Sequence, residues 1–483
     1  MLSAAILAEL RDAVGADGLI IERNQLQTYE CDALAVLRSL PGAVILPRTT
    51  AQLQKAVRIC ARHQIPFVGR GAGTGLSGGA MPDDRGIVIS FARMTKILAT
   101  DIPNQRITVE AGVINAHVTQ RVAPTGYFYA PDPSSQTVCT IGGNVAENSG
   151  GAHCLKYGFT TTHVLALEVV LPTGELVHLG SPTLDPPGYD LAGVFVGSEG
   201  TLGVAGSMTL RIVRRPETVE VLLAAFDSIS AAGQSVSDII AASILPAAME
   251  IMDRLSIQAA EAAVHPHYPE CEALLLVELD GPSAEVDLQM QQVRKICKAN
   301  GAWEDRLAQS EQERMLVWKG RKAAFAAAGR LSPDYIVQDG VIPRTKLPVV
   351  LEQVAEMSAA AGLRVCNVFH AGDGNLHPLV LYDRSIPGQE EIAVDLSMRI
   401  LYLCVDHGGS ITGEHGVGRE KQQAMGYMYS EPDLDTMQRV RCAFDPENIS
   451  NPDKLFPRPR LCGEKTGKYT PHPLETAGVA EFF

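Results

Sequence analysis

The chain has 483 residues, 46% of them hydrophobic, enough apolar material for two or more packed cores, which excludes a disordered chain. Lys and Arg number 41 against 55 Asp and Glu, a formal charge of −14, so a protein that neutralises a phosphate backbone is excluded and no nucleic acid partner is expected.

The opening MLSAAILAELRDAVG has no basic leader and is broken by Glu9 and Arg11, which predicts an amphipathic helix and not a signal peptide. No apolar stretch reaches the roughly 18 residues of a membrane span, so membrane association is expected to be peripheral at most. Ten cysteines without a C-x-x-C pair encode neither a zinc ribbon nor a cysteine-ligated iron–sulfur cluster, and are expected to be reduced thiols of a cytoplasmic protein. From about residue 41, AVILP predicts a strand. TTAQLQKAVRICARHQI, apolar at 53, 56, 57, 60 and 61, predicts a helix, and IPFVG a second strand. Runs of β type follow at 86–90, 106–110, 164–171, 194–196 and 207–213, between glycine-rich connections. After RRPE at 214–217 the glycines thin out, and a domain boundary is placed at about 217. Helices are predicted near 227–244, 284–300 and 345–361, with a strand at 274–281. VCNVFHAGDGNLHPLVLYD at 365–383 predicts a hairpin turning on Gly372, Asp373, Gly374 and Asn375. A helix at about 389–407 runs to Gly408 and Gly409. The fold class is α+β.

The densest glycine cluster is Arg70, Gly71, Ala72, Gly73, Thr74, Gly75, Leu76 and Ser77, followed by Gly78 and Gly79. Residues 73–78 match G-x-G-x-x-G, yet the loop runs on into Ala80-Met81-Pro82 and opens no helix, unlike the Rossmann fingerprint. Consecutive glycines expose backbone N–H groups that can nest a pyrophosphate, against the plainer reading of a turn between strands. Two more loops, from Pro131 to Gly151 and from Gly197 to Gly203, repeat the composition. Three such loops point to one long ligand.

A second constellation lies downstream. His370 and His377 stand at the two ends of the predicted hairpin turn, where facing strand positions are about 5 Å apart. Glu414 adds a hard oxygen, and two histidines with one carboxylate leave coordination positions open, as catalytic metal sites do. The donor set suits several divalent ions. In extended backbone Glu414 and His415 would face apart, but Gly413 and Gly416 permit a bend, which makes His415 a candidate base. The plainer reading is histidines satisfied by turn carbonyls.

These segments resemble flavoproteins of the vanillyl-alcohol-oxidase type, whose FAD domain is shared with p-cresol methylhydroxylase; HAGDGNLH and GEHG resemble the D-2-hydroxyacid dehydrogenase branch. The resemblance covers nearly the whole chain. It implies a two-subdomain FAD-binding domain at 1–217, with its core at about 41–217, and a substrate or cap domain on an antiparallel sheet at 218–425. A segment at 426–483 would return to the FAD domain. It implies Arg70 to Ser77 around the FAD pyrophosphate, Pro131, Asp132, Gly142, Gly143 and Asn148 along the flavin, and Glu199, Gly203 and Val204 near the adenine half, with FAD held non-covalently. It assigns His370, His377 and Glu414 to zinc or manganese, and Arg321 in VWKGRKAAF to the substrate carboxylate.

The implied reaction is oxidation of a (D)-2-hydroxy acid to the 2-oxo acid. Relatives acting on 2-hydroxyglutarate carry a threonine and a lysine where this chain has Phe325 and about Val337. A second carboxylate would lack a partner here, so the expected substrate is a small monocarboxylate, glycolate or D-lactate. Flavoprotein subunits of glycolate oxidase in this branch work with an iron–sulfur subunit. The resemblance therefore implies a separate electron-accepting protein at the inner face of the membrane. The rivals are a flavoenzyme for 2-hydroxyglutarate or another alcohol, a non-catalytic flavin-binding subunit, and a metal-dependent hydrolase. The hydrolase leaves the glycine loops unexplained; the non-catalytic subunit has no use for the metal residues.

Overall fold

The helix Thr50–His63 starts where the Thr49 hydroxyl accepts the Gln52 N–H and stops where Gln64 turns left-handed at φ 51°. Its inner face (Leu53, Ala56, Val57, Ile59, Cys60) is the crossover between Ala43–Ile45 and Phe67–Arg70, which run parallel to the central strand Ile87–Ser90. Leu19–Ile20 closes the edge, antiparallel. The first glycine loop leaves the carboxyl end of Phe67–Arg70, the end at which parallel sheets place their ligands. In this computed structural model, residues 2–183 and 187–457 are described. The part of the expected C-terminal segment at 458–483 lies outside the described residues.

A five-stranded antiparallel sheet follows, in the order Ile97–Asp101, Arg106–Glu110, Val204–Arg211, Val164–Val170, Leu176–Gly180. Both sheets share one core, in which Leu53, Ile89, Val109, Leu167 and Val204 are buried. The expected strand at 194–196 is instead the end of a helix, Leu191–Phe195, because the Asp190 carboxylate accepts the Gly193 N–H at 2.8 Å and caps it. The T-I-G-G-N loop is likewise a helix, Ile141–Glu147, started by Thr140 Oγ1 accepting the Gly143 N–H at 3.3 Å.

The second part is built on Thr218–Phe226, which pairs antiparallel with Ala273–Gly281 over nine residues. Ala248–Asp253 comes next, then Arg364–His370, then Pro378–Tyr382, which also pairs with Asp334–Val337. Alternation sends Leu222, Ala224 and Phe226 to one face, beneath helices Ile229–Ala241, Ser283–Ala299 and Leu347–Ala361. Val221, Leu223 and Ala225 go to the other, beneath Arg254–Val264 and Glu311–Ala327.

The hairpin forms in a tighter register than the sequence predicts. His370 stands opposite Asn375, not His377, and pairing resumes with Asn367 opposite Pro378. The cause is a turn of only four residues, 371–374, closed by Gly374 at φ +80°. Near the C-terminus, Phe67 donates its N–H to the Ile449 carbonyl at 2.8 Å and Asn451 donates to the Phe67 carbonyl at 2.7 Å, so this stretch lies along the N-terminal sheet. Among the described residues eight cysteines are free thiols, and Cys442 departs from the expectation of reduced thiols, being disulfide-bonded. Among the described residues no helix is long and apolar enough to cross a membrane.

Candidate active site

The three glycine loops and the second sheet enclose a cleft of about 370 Å³. Of the residues singled out in the sequence, Arg70, Gly71, Ala72, Gly73, Thr74, Gly75, Leu76, Gly142, Gly143, Glu199, Gly203, Val204, Glu414 and His415 line it. Ser77 is fully buried and not in the wall. Pro133, Ser134 and Ser135 line the cleft where Pro131 and Asp132 were expected, and Ser149 does so beside Asn148. Asn148 instead ends the helix Ile141–Glu147 at φ 52°, its Oδ1 accepting the Thr161 N–H at 2.9 Å. A Cβ on Gly71 would collide with Thr140 Oγ1, and one on Gly73 with the Arg70 guanidinium. The loop is therefore a bare-backbone cradle with one arginine in it, a donor set suited to a pyrophosphate.

Across the cleft, register decides the chemistry. Glu250 on Ala248–Asp253 stands opposite His370 on Arg364–His370, so the two side chains share a face within contact range. A carboxylate only accepts, so His370 donates its Nδ1–H to Glu250 at 2.8 Å and turns Nε2 to Glu414 Oε1 at 3.3 Å. His377 Nε2 lies 3.4 Å from both Glu414 Oε1 and Asp339 Oδ1, without hydrogen-bond geometry to either. One donor atom each from His370, His377 and Glu414 falls within 4.8 Å of the others; Asp339, His377 and His415 form a second such group sharing His377. Burial pushes His370 down, but the Glu250 and Glu414 carboxylates overcome it and hold the imidazole well above its usual range. Burial pushes Glu414 up, and the hydrogen bond from His370 with the neighbouring imidazoles outweighs it, to about 2. An anionic oxygen facing two imidazole nitrogens, one of them orphaned and buried, fits a divalent cation.

The bend anticipated at Gly413 and Gly416 is present, with Gly416 at φ +82°, and a carboxylate absent from the sequence reading organises it. Asp339, fully buried, accepts the Thr412 hydroxyl at 2.6 Å and the N–H groups of Gly413 and His415 at 2.9 Å, with Lys421 Nζ at 3.3 Å. The His415 ring stacks on that of His377, centroids 4.9 Å apart. Burial pushes His415 down to about 4 against the pull of Asp339, so its imidazole is neutral at physiological pH and can accept a proton.

The helix Glu311–Ala327, capped by the Ser310 hydroxyl and with Glu311 and Glu313 in its first turn, presents Lys322, Phe325 and Ala326 to the cleft, at i, i+3 and i+4. Arg321 is one position off that face. It is buried, is not in the cleft wall, and places Nη2 2.5 Å from Glu250 Oε2, while its Nε has no hydrogen-bond partner. Tyr335 and Val337 also line the cleft. Asp132 joins a bridge between the two parts: His153 lies 3.0 Å from Asp132 Oδ2 and 2.9 Å from Glu278 Oε1, and Trp318 donates to Glu278 at 2.6 Å. Glu250, Asp339 and Lys421 are the site residues that sequence reasoning missed. For Glu250 and Asp339 the signal was a lone charge inside an apolar run; Lys421, in the polar stretch REKQQ, carried no such signal.

Residues 215–455 match the family described as FAD linked oxidases, C-terminal domain, and residues 41–180 match the FAD binding domain. The glycolate oxidase subunit GlcD of Escherichia coli K12 is 47% identical over 469 residues, covering 97% of this chain and 94% of that protein. A D-lactate dehydrogenase of Anaerostipes hadrus is 31% identical, covering 89% of this chain and 92% of the relative. Among solved structures, 4-ethylphenol oxidase from Gulosibacter chungangensis superposes with a TM-score of 0.78 at 17% identity, covering 94% of this chain and 97% of that one. p-Cresol methylhydroxylase with substrate bound gives 0.78 at 18%, covering 93% and 96%. These two likenesses establish the fold.

Proposed function

The chain belongs to the FAD-linked oxidases, and from that membership we propose that it oxidises a small (D)-2-hydroxy monocarboxylate, glycolate or D-lactate, to the 2-oxo acid. The observation that carries this is the meeting of two constellations in one cleft: the bare glycine cradle on one side, Glu414 and His415 on the other. Bound FAD supplies the acceptor for the substrate hydride. The residues that would hold it are Arg70 to Leu76 at the pyrophosphate, Gly142 and Gly143 along the flavin, and Gly203 and Val204 toward the adenine half. Pro131, Asp132 and Asn148, also implied along the flavin, are not in the cleft wall.

His370, His377 and Glu414 are the proposed ligands of a divalent cation, zinc or manganese, which would acidify and orient the substrate hydroxyl. Neutral His415 takes the hydroxyl proton. Arg321, which the resemblance assigns to the substrate carboxylate, is buried against Glu250 outside the cleft wall, so Lys322, which lines the cleft, is the cation proposed to meet that carboxylate. Phe325 and Val337, both in the cleft wall, bring no charge to a second carboxylate, which favours a monocarboxylate. That the GlcD relative is a subunit of a glycolate oxidase supports transfer of the electrons to a separate protein, an iron–sulfur subunit, in the cytoplasm at the inner face of the membrane.

The test is product analysis. FAD-loaded protein with an artificial electron acceptor should convert glycolate to glyoxylate or D-lactate to pyruvate. Loaded protein that forms neither would overturn the proposal.

A further inference from the structure

Both carboxylate oxygens of Glu199 are taken by one peptide turn from the other part of the molecule. Val417 donates its N–H to Oε1 at 2.7 Å and Gly418 to Oε2 at 2.6 Å, 218 and 219 residues away in sequence. The backbone of Glu199 is fixed as well. Its N–H donates to the Ala146 carbonyl at 2.8 Å, its carbonyl accepts from Asn451 Nδ2 at 2.6 Å, and its φ is 52°. A glutamate held left-handed between Gly197 and Gly200, where glycine would be unstrained, has its use in the carboxylate.

The turn it holds is the continuation of the metal loop. Glu414 and His415 are followed by Gly416, where a Cβ would lie 2.9 Å from Glu199 Oε1 and would also collide with Glu147. Asp339 grips the N–H groups before this glycine and Glu199 those after it. The loop is thus clamped by two buried carboxylates, one from each part of the fold. Losing either acceptor strands buried backbone N–H groups of this loop.

Resting on the reading of Glu414 as a metal ligand, we propose that Glu199 is a positioning residue for the divalent-cation site: its carboxylate fixes the 414–418 turn, and through it Glu414. A glutamine there keeps one acceptor oxygen but points an amide NH2 at a backbone N–H, so the turn loosens.

The experiment titrates FAD-loaded, full-length protein with MnCl2, counting free Mn(II) by electron paramagnetic resonance and bound flavin by absorbance. Glu199→Gln should keep its flavin while Mn(II) affinity falls 10- to 100-fold, the usual range for loss of an outer partner of a ligand. Glu199→Asp, with both oxygens retained, should recover part of the loss. Gly416→Ala, which crowds the same contact, should weaken Mn(II) comparably and decides the matter if Glu199→Gln does not fold. Wild-type Mn(II) affinity in the variants overturns the proposal, as does a Glu199→Gln protein that loses flavin but binds Mn(II) normally. If the wild-type protein binds no Mn(II) and holds no zinc by metal analysis, the metal reading itself falls and takes this inference with it.

Discussion

Glu250 accepts the Nδ1–H of His370 at 2.8 Å inside the second sheet, with the histidine side chain 5% exposed and the glutamate fully buried. This contact fixes which imidazole nitrogen faces the cleft, and the same carboxylate is the partner of the buried Arg321.

Glu250→Gln should therefore have two effects. It leaves the Arg321 charge unpaired in the interior, at a cost of about 3–5 kcal/mol of stability. It also weakens the hold on His370, lowering metal affinity about 10- to 100-fold. Chemical denaturation and metal content after dialysis measure the two. A variant within about 1 kcal/mol of wild type, with full metal content, would contradict the assigned geometry.

The Asp132–His153–Glu278 bridge predicts a pH-dependent seam. Burial pushes the Asp132 carboxyl up, but His153 and then Lys322 outweigh it and hold it at about 2, so it contributes stability above its unfolded value, lost as pH falls from about 4 through 2. Burial pushes His153 down, and Asp132 and Glu278 overcome this to raise it well above its usual range. Its contribution is complete below about 6.5 and is lost as pH rises through the higher folded value. His153→Gln should cost on the order of 2 kcal/mol at pH of about 5, with a smaller deficit at acid and alkaline extremes. Denaturation midpoints across pH read this out; a deficit that does not vary with pH would refute it.

Val337 lines the cleft, on the strand Asp334–Val337. Val337→Lys should raise kcat/KM for D-2-hydroxyglutarate relative to glycolate by about tenfold, about 1.4 kcal/mol of discrimination. An unchanged ratio would mean that the distal end of the substrate lies elsewhere.

Elements with a strong period were legible in the sequence: Thr50–His63, Arg106–Glu110, Val164–Val170 and Gln389–Asp406 fall within a few residues of expectation. Short elements decided by a cap were not. Leu191–Phe195 is a helix because of Asp190, and Ile141–Glu147 because of Thr140, neither of which changes the apolar pattern around it. At the candidate site, the histidines and Glu414 stand among glycines in compact motifs and were easily noticed. Glu250 and Asp339 were not, since AAMEIM and VQDGV read as buried strands with one anomalous charge. What gives those charges meaning is register: Glu250 matters because it faces His370 across the sheet, a pairing 120 residues apart. Arg321 and Lys322 differ by a single position, and only the rotation of about 100° per helical residue shows that Lys322 and not Arg321 reaches the cleft wall.

The most direct test of the central claim is an anaerobic spectral titration of the FAD-loaded chain with glycolate, D-lactate, L-lactate and D-2-hydroxyglutarate in turn. The account predicts that glycolate or D-lactate bleaches the oxidised-flavin bands, that an artificial acceptor restores them, and that D-2-hydroxyglutarate bleaches them far less efficiently. A flavin bleached by none of the four, or by D-2-hydroxyglutarate in preference to both monocarboxylates, would contradict it.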